Sequence, residues 1–84
     1  MNVKIFDTHV RTRDGRYLHF DVVMAGGDNA QASQIASSWL AAQGLAADDI
    51  QQSQCQFCHS EIASPPMQRA IAEQGYYIIT LQGF

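Results

Sequence analysis

Two thiols and an imidazole lie close together in the second half of the chain. Residues 55–59 (CQFCH) contain two cysteines three positions apart and a histidine directly after them. Two thiols at this spacing can bind one metal ion together or form a mutual disulfide. A tetrahedral zinc site needs two more ligands, and His59 or His19 would supply the third, with Asp21 or water as the fourth. The candidate metal ligands are Cys55, Cys58, His59 and His19.

Three other interpretations of this segment remain open. A CxxCH sequence is also the attachment motif of c-type haem, but that chemistry belongs to exported proteins and the first ten residues lack a signal-peptide pattern. A redox dithiol gains thiolate character at a helix N-terminus, whereas the next helix-start signal, Ser64, lies six residues beyond Cys58. In the third interpretation, one cysteine packs beside Phe57 and the other has no role, so neither thiol takes part in a reaction or binds a metal. We therefore expect the protein to bind no cofactor. Zinc is the cofactor that these residue types would suit if one were bound.

The second group of chemical residues depends on how two predicted strands align. Residues 3–12 and 16–24 are rich in β-branched and aromatic residues and flank the turn residues 13–15 (RDG), where glycine can take the positive φ that closes a hairpin. A three-residue loop pairs Val10 with Leu18 and gathers the apolar side chains on one face, whereas a two-residue turn would mix polar and apolar residues there. The favoured alignment gives the other face the pairs Arg11 with Tyr17, His9 with His19 and Asp7 with Asp21.

The paired acids on this polar face are the one local conflict in the sequence. Asp7 opposite Asp21 sets two like charges at cross-strand distance, which is unfavourable unless a cation, a proton or the nearby imidazoles compensate. His19 and Asp21 could act as a general acid–base or ligand pair, with Glu61 or His59 approaching from the cysteine segment. The alternative is a solvated face on which these side chains only hydrogen-bond one another. The candidate catalytic residues are His19, Asp21 and Glu61.

The remaining pattern predicts two helices and two more strands. An aspartate with a glutamine three residues later forms a capping-box pattern, and apolar residues at helical spacing then predict a helix over residues 29–43. Residues 50–54 predict a short edge strand that leads into the cysteine segment. A Ser-Pro-Pro sequence predicts a second, short helix starting after Ser64. Residues 76–81 (YYIITL) are apolar on both faces, as in an interior strand.

These elements predict an α+β domain with the order β-β-α-β-α-β. The last strand-helix-strand unit is long enough for a right-handed parallel crossover, so we expect two layers, a mixed four-stranded sheet with two helices on one face. The uncovered face would show Tyr17, His19, Asp21 and one side of the last strand. Such a surface is a candidate contact for a second subunit or a ligand, and it favours a homodimer.

Length and charge limit the function classes. Eighty-four residues form a single domain, 1–84, because so short a chain cannot divide its apolar surface between two cores. A formal net charge of −3 disfavours a nucleic-acid partner, and no stretch approaches the ~18 apolar residues of a membrane span. Two cysteines without a signal-peptide pattern favour a cytoplasmic protein. No nucleophile elbow, phosphate loop or dinucleotide fingerprint is present, so the sequence decides neither for nor against an enzyme.

Four stretches spread along the chain resemble one small prokaryotic family. They are FDTHV at 6–10, HFDV at 19–22, CQFCHSE at 55–61 with ASP at 63–65, and GYYII at 75–79. Together they are similar to the domain-of-unknown-function family numbered twenty twenty-four, over essentially the whole chain. The resemblance implies a two-layer α/β domain and brings no assigned activity or cofactor. The chain departs from the family pattern at His9, where a tyrosine looks usual, and the positions that match its motifs are His19, Asp21, Cys55, Cys58, His59 and Glu61.

The sequence therefore predicts a small cytoplasmic binding or accessory protein that acts as a homodimer. The alternative is a metal-binding or thiol-redox protein centred on the CxxCH segment. We expect neither membrane nor nucleic acid among its partners.

Overall fold

The computed structural model describes residues 1–84 and contains four strands and two α-helices. In chain order these are β1 (Asn2–Thr12), β2 (Tyr17–Met24), α1 (Asn29–Ala42), β3 (Ile50–Ile62), α2 (Pro65–Gln74) and β4 (Tyr77–Gln82), with a turn of 3-10 helix at Ala47–Asp49. The α+β class and the order β-β-α-β-α-β are confirmed. Neither helix has the length and apolar character that crossing a membrane requires.

The hairpin of β1 and β2 has the predicted register. Its pairs include Val10 with Leu18, His9 with His19, Asp7 with Asp21 and Arg11 with Tyr17. The turn closes through a hydrogen bond of 3.0 Å from the backbone N–H of Thr12 to the carbonyl of Arg16. Gly15 takes a φ of 90° there, a conformation that costs glycine little because it has no Cβ.

All four strands are antiparallel to their neighbours, in the order β3-β1-β2-β4. This corrects the expected mixed sheet with a parallel crossover. The physical reason is the length of β3, which extends to Ile62 opposite Asn2, at the end of the sheet where β4 also starts with Tyr77 opposite Val23. Because α2 connects two points at the same end, β4 returns antiparallel to β3 at the other edge of the sheet.

The two helices pack on opposite faces of the sheet, and not on one face as predicted. Three residues of α1 pack with Phe6 and Phe20 in one core cluster. Val3, Ile5 and their neighbour Val23 form a second cluster with Ala63 and Met67 of the α2 segment. Alternation along β1 places Phe6 on one face and Val3 and Ile5 on the other, and each apolar set needs its own cover. The α1 residues of the first cluster are Ala32, Ala36 and Leu40.

The polar half of the second face lies beyond the residues that α2 covers. Asp7 and His9 follow Ile5 on that face at two-residue intervals, and their side chains are half-buried. The fold therefore gives this face an apolar end beneath α2 and a polar end that solvent can reach.

Candidate functional site

Two imidazoles and a carboxylate meet at the middle of β1 and β2. Asp7 and His9 point to the same face of β1, and His19 lies opposite His9 on β2. Nε2 of His19 is 2.5 Å from Oδ1 of Asp7, and Nε2 of His9 is 2.7 Å from Oδ2 of Asp7. The imidazole rings stack with centroids 4.2 Å apart and planes inclined by 13°. We call Asp7, His9 and His19 the Asp-His-His cluster.

The hydrogen bonds of the cluster determine where its protons lie. A carboxylate can only accept, so each Nε2 carries a hydrogen and donates it to Asp7. The other nitrogen of a neutral imidazole accepts, and Nδ1 of His9 accepts from the hydroxyl of Tyr17. Burial by itself raises the pKa of Asp7, but the hydrogen bonds from His19 and His9 oppose burial and lower the pKa, and the charge of either imidazole in its protonated form lowers it further. Asp7 is therefore ionised at neutral pH.

Asp21 is the second carboxyl on this face, directly opposite Asp7. Burial raises the pKa of Asp21, and the negative charge of Asp7 raises it further. The two carboxyl groups of this pair therefore differ in how readily they ionise. The imidazoles stabilise the negative charge of Asp7, whereas burial and the charge of Asp7 disfavour the negative charge of Asp21.

The edge strand β3 adds His59 and Glu61 to the same face. They lie opposite Ile5 and Val3, whose side chains share the face of Asp7. Nε2 of His59 is 3.6 Å from Oε2 of Glu61. Both groups are close enough to influence the pKa of Asp21, His59 lowering it and Glu61 raising it. The candidate catalytic residues His19, Asp21 and Glu61 are thus brought to one face, together with His59.

The two cysteines lie apart from this cluster. Cys55 is opposite Thr8, is buried in the core cluster that includes α1, and accepts a hydrogen bond of 3.2 Å at Sγ from the Thr8 hydroxyl. Cys58 is exposed, at a register shift between β1 and β3 that leaves it without a partner residue. Cys55 and His19 are therefore on opposite faces of the sheet, and the structure does not gather Cys55, Cys58, His59 and His19 around one point. The group of potential ligands that it does bring together is the Asp-His-His cluster.

A shallow depression of about 200 Å³ lies directly beside the cluster. Strand register explains which residues line the depression. Gln54 on β3 is opposite His9, and Arg11 lies between Gln52 on β3 and Tyr17 on β2. The Arg11 guanidinium carbon is 5.4 Å from the centroid of the Tyr17 ring, within cation–π distance. The depression therefore offers one cation and two amides next to an imidazole.

A larger depression, about 320 Å³, lies at the hairpin turn and is less suited to chemistry. Its arginines already have partners within the chain: Nε of Arg16 is 3.5 Å from the carboxylate of Asp14, and Nε of Arg13 donates to the carbonyl of Asp48 at 2.7 Å. Because one of its two arginines is already in an ion pair and three aspartates share the depression with them, we place the candidate site at the cluster despite the smaller volume there.

The family model described as "Domain of unknown function (DUF2024)" matches residues 1–81. The chain belongs to this family. A similar solved structure is the NMR structure of protein NE1680 from Nitrosomonas europaea, a structural-genomics target, which is 34% identical. The alignment covers 99% of this chain and 98% of that chain with a TM-score of 0.84. No curated protein matches the chain. These similarities confirm the family and the fold, and they bring no activity with them.

The candidate residues selected from the sequence of this DUF2024 protein do not include Asp7, His9 or Tyr17. Strand register is the signal that identifies the first two, because it sets His9 opposite His19 and Asp7 one pair further on. No sequence signal shows that the Tyr17 hydroxyl reaches His9, since that contact depends on side-chain rotamers. The departure from the family pattern at His9 therefore falls on a residue that the structure places inside the cluster.

Proposed function

We propose that this DUF2024 protein is a small metal-binding domain whose Asp-His-His cluster holds one divalent transition-metal ion, with zinc as the reference case. The observation that carries the proposal is that one ligand atom from each of Asp7, His9 and His19 lies within 4.8 Å of the other two. The side chains of the three residues are 39%, 37% and 25% exposed, respectively. An ion can therefore reach them from solvent without unfolding of the sheet.

Zinc binding requires side-chain rotation within the cluster, because the imidazole planes are inclined by only 13° and both Nε2 atoms must point at one ion. Bonds of about 2.0–2.2 Å to nitrogen and oxygen put ligand atoms about 3.4 Å apart in a tetrahedral site. The two nitrogen–oxygen distances in the cluster are 2.5 and 2.7 Å, so each would lengthen by roughly 1 Å, which side-chain rotation can supply. Two imidazoles and one carboxylate are ligands that suit zinc or ferrous iron.

A three-ligand site leaves at least one position of the ion open. Open positions are typical of catalytic zinc, whereas structural sites are closed by four protein ligands. Asp21 lies directly opposite Asp7 and would be the group available to accept or donate a proton beside a bound water, whereas Glu61 lies on the same face but opposite Val3. His59 lies next to them and is a control residue for the ligand assignment, since it shares the face but not the cluster.

Zinc titration against a chromophoric chelator tests the proposal. We expect one ion per chain, and we expect His19→Gln and Asp7→Asn each to weaken binding by at least about 100-fold, because loss of a direct ligand should exceed the 10–100-fold effect of losing an outer-shell partner. His59→Gln makes the same chemical change outside the cluster and should leave the affinity unchanged.

The same titration distinguishes the ligand set predicted from the sequence. Cys58→Ser should bind zinc as the unmodified chain does. If Cys58→Ser lost zinc binding and His19→Gln retained it, the zinc ligands would be in the cysteine segment and not in the Asp-His-His cluster. Absence of zinc binding by the unmodified chain would leave the cluster as a hydrogen-bonded network only.

We propose a cytoplasmic location on the basis of the thiols. Both cysteines are free, and an exposed Cys58 is expected to stay reduced in that compartment. The thiol-redox alternative receives less support, because Cys55 is buried against the core while Cys58 is at the surface. Thiol titration after treatment with diamide should show no intramolecular disulfide; formation of one would favour the redox role.

An accessory role as a homodimer is the second candidate, and the edge strand β3 favours it. This strand has 13 residues and no strand on its outer side, and it lacks lysine and proline, which natural edge strands use to block pairing; its irregularities are limited to two register shifts against β1. It also exposes Phe57 and Ile62. We therefore propose pairing of β3 with β3 of a second copy, in place of the sheet-face contact expected from the sequence. Sedimentation equilibrium should show a dimer that Phe57→Lys disrupts and Leu81→Lys does not; a monomer at high concentration would contradict it.

A further inference from the structure

The depression beside the cluster combines features that suit an anion. No carboxylate lines it, and Arg11, the cation at its wall, has no acidic partner within ion-pair distance. The larger depression at the hairpin turn, by contrast, is lined by three aspartates. Asp7 bonds to His9 at the wall of the smaller depression, and its charge is already bonded by two imidazoles. An unpaired cation at a wall free of acids is the arrangement that an anion requires.

We propose that this depression binds a small oxyanion, a phosphate or a carboxylate, and that a metal ion in the Asp-His-His cluster strengthens the binding. The second half of the proposal rests on the proposed metal-binding function, whereas the first half does not. The Arg11 guanidinium presents paired N–H donors that match two oxygens of such an anion. The amides of Gln52 and Gln54 supply neutral donors opposite it. A volume of about 200 Å³ is below the roughly 300–1,000 Å³ of drug-sized ligand pockets, so the ligand is small.

The Tyr17 hydroxyl links the depression to the cluster. In the metal-free arrangement with a neutral His9, Nε2–H donates to Asp7, so Nδ1 is an acceptor and the Tyr17 hydroxyl donates its hydrogen to it. Tyr17 also lines the depression, but in this arrangement its hydrogen is not available to a ligand there.

Metal binding reverses the direction of this hydrogen bond. Nε2 of His9 can bind an ion only after it gives up its hydrogen, and the neutral imidazole then carries a hydrogen on Nδ1. One proton leaves Nε2 and one joins Nδ1 through solvent, so the charge of the imidazole does not change. Nδ1–H now donates to the Tyr17 oxygen, and the Tyr17 hydroxyl hydrogen is free to turn toward the depression. Metal binding thereby adds a donor for the oxyanion.

Isothermal titration of inorganic phosphate, and separately of acetate, into EDTA-stripped, dialysed chain and into chain carrying one equivalent of zinc tests the inference. We expect binding to both forms, tighter with zinc, and the tighter of the two anions identifies the ligand class. Arg11→Gln should weaken binding at least about tenfold in both forms, because it removes a charge-assisted bond. Arg69→Gln on α2 makes the same charge change away from the depression and should have no effect.

Tyr17→Phe isolates the hydroxyl from the charge of the zinc itself. It should leave anion binding to the stripped chain unchanged and reduce binding to the zinc-loaded chain by roughly two- to tenfold, the value of one neutral hydrogen bond. Equal anion affinity of zinc-loaded Tyr17→Phe and zinc-loaded unmodified chain would overturn the coupling. Absence of anion binding in both forms would overturn the oxyanion site while zinc binding, measured separately by chelator competition, still supports the metal proposal. Failure to bind zinc would overturn the metal proposal and the coupling, and phosphate binding to the stripped chain would still support the oxyanion site.

Discussion

Replacement of Asp21 by asparagine should stabilise the metal-free fold at neutral pH. Asp21 lies directly opposite Asp7, and burial followed by the charge of Asp7 raises the pKa of Asp21. Like charges in such a cross-strand pair destabilise a sheet by roughly 0.2–1 kcal/mol, and we take about 0.5 kcal/mol. A change of 1 kcal/mol shifts Tm by about 4–8 °C in a domain of this size. We therefore expect Asp21→Asn to raise Tm by about 2–4 °C at pH 7, measured by circular dichroism in EDTA.

The gain should disappear in acid. Folding raises the pKa of Asp21, so the folded chain binds this proton more tightly than the unfolded chain. The cost of the charge therefore appears only as the pH rises through the interval between the unfolded pKa, about 3.9, and the folded pKa. Below that interval Asp21 is protonated in both states, so melts at about pH 3 should show almost no difference between variant and unmodified chain.

Asp14→Asn is the matched control because it makes the same change in net charge with the opposite sign of effect. The hydrogen bond from the Thr12 hydroxyl is the largest influence on the pKa of Asp14 and lowers it; burial opposes this to a smaller extent, and the charge of Arg16 lowers the pKa further. Asp14→Asn should therefore lower Tm at pH 7. An Asp21→Asn variant that lowers Tm at pH 7, or that keeps its advantage at about pH 3, would refute cross-strand repulsion as the cause.

Three other perturbations test the cluster and the core. Asp7→Asn should destabilise the metal-free chain at neutral pH, with an effect in urea unfolding that shrinks as the pH falls from about 5 toward about 2, because the ionised carboxylate is lost through its lowered pKa. Zinc at about 100 times its Kd should stabilise the fold by about 2.7 kcal/mol, or roughly 10–20 °C in a thermal melt, and His19→Gln should remove this shift. Cys55→Ala should cost about 1 kcal/mol in urea unfolding through a small cavity and the lost Thr8 bond, whereas Cys58→Ala should stay within about 0.5 kcal/mol; equal costs would contradict the opposite burial of the two thiols.

The hairpin could be predicted from the sequence because both of its strands are half-buried. Phe6 and Val10 alternate with Asp7 and His9, and only one alignment with β2 keeps the apolar set on one face. Burial on one side therefore determines register, and register alone brings the imidazoles and acids together. The predicted core and much of the candidate site follow from this single constraint.

The edge strand β3 could not be predicted to its full length. Of its 13 residues only Cys55 is buried, so the strand shows no alternation of apolar and polar residues. Because its side chains are mostly exposed and many are glutamine or serine, β3 is held in the sheet mainly by backbone hydrogen bonds to β1. An amino-acid sequence gives no direct signal of backbone pairing. The extent of β3 determines three further features: where both cysteines lie, the direction of β4 and the side of the sheet that α2 covers. Each of these features differs from the sequence-based expectation for that reason.

The cost of placing Asp21 opposite Asp7 is itself an argument for a ligand. Only 17 of 84 residues are buried, so the margin of stability is small, yet the middle of the two central strands holds two acids and two imidazoles where apolar pairs would stabilise the sheet. Because β1 and β2 each pair with a strand on both sides, their backbones are the best-fixed part of the sheet. Side chains that cost stability at the most rigid positions of a fold are characteristic of a functional site, where geometry must be held constant. A bound cation would offset the repulsion between Asp7 and Asp21, and its ligands would need the fixed geometry that β1 and β2 provide. A purely structural hydrogen-bond network on this open face would not require such fixed geometry.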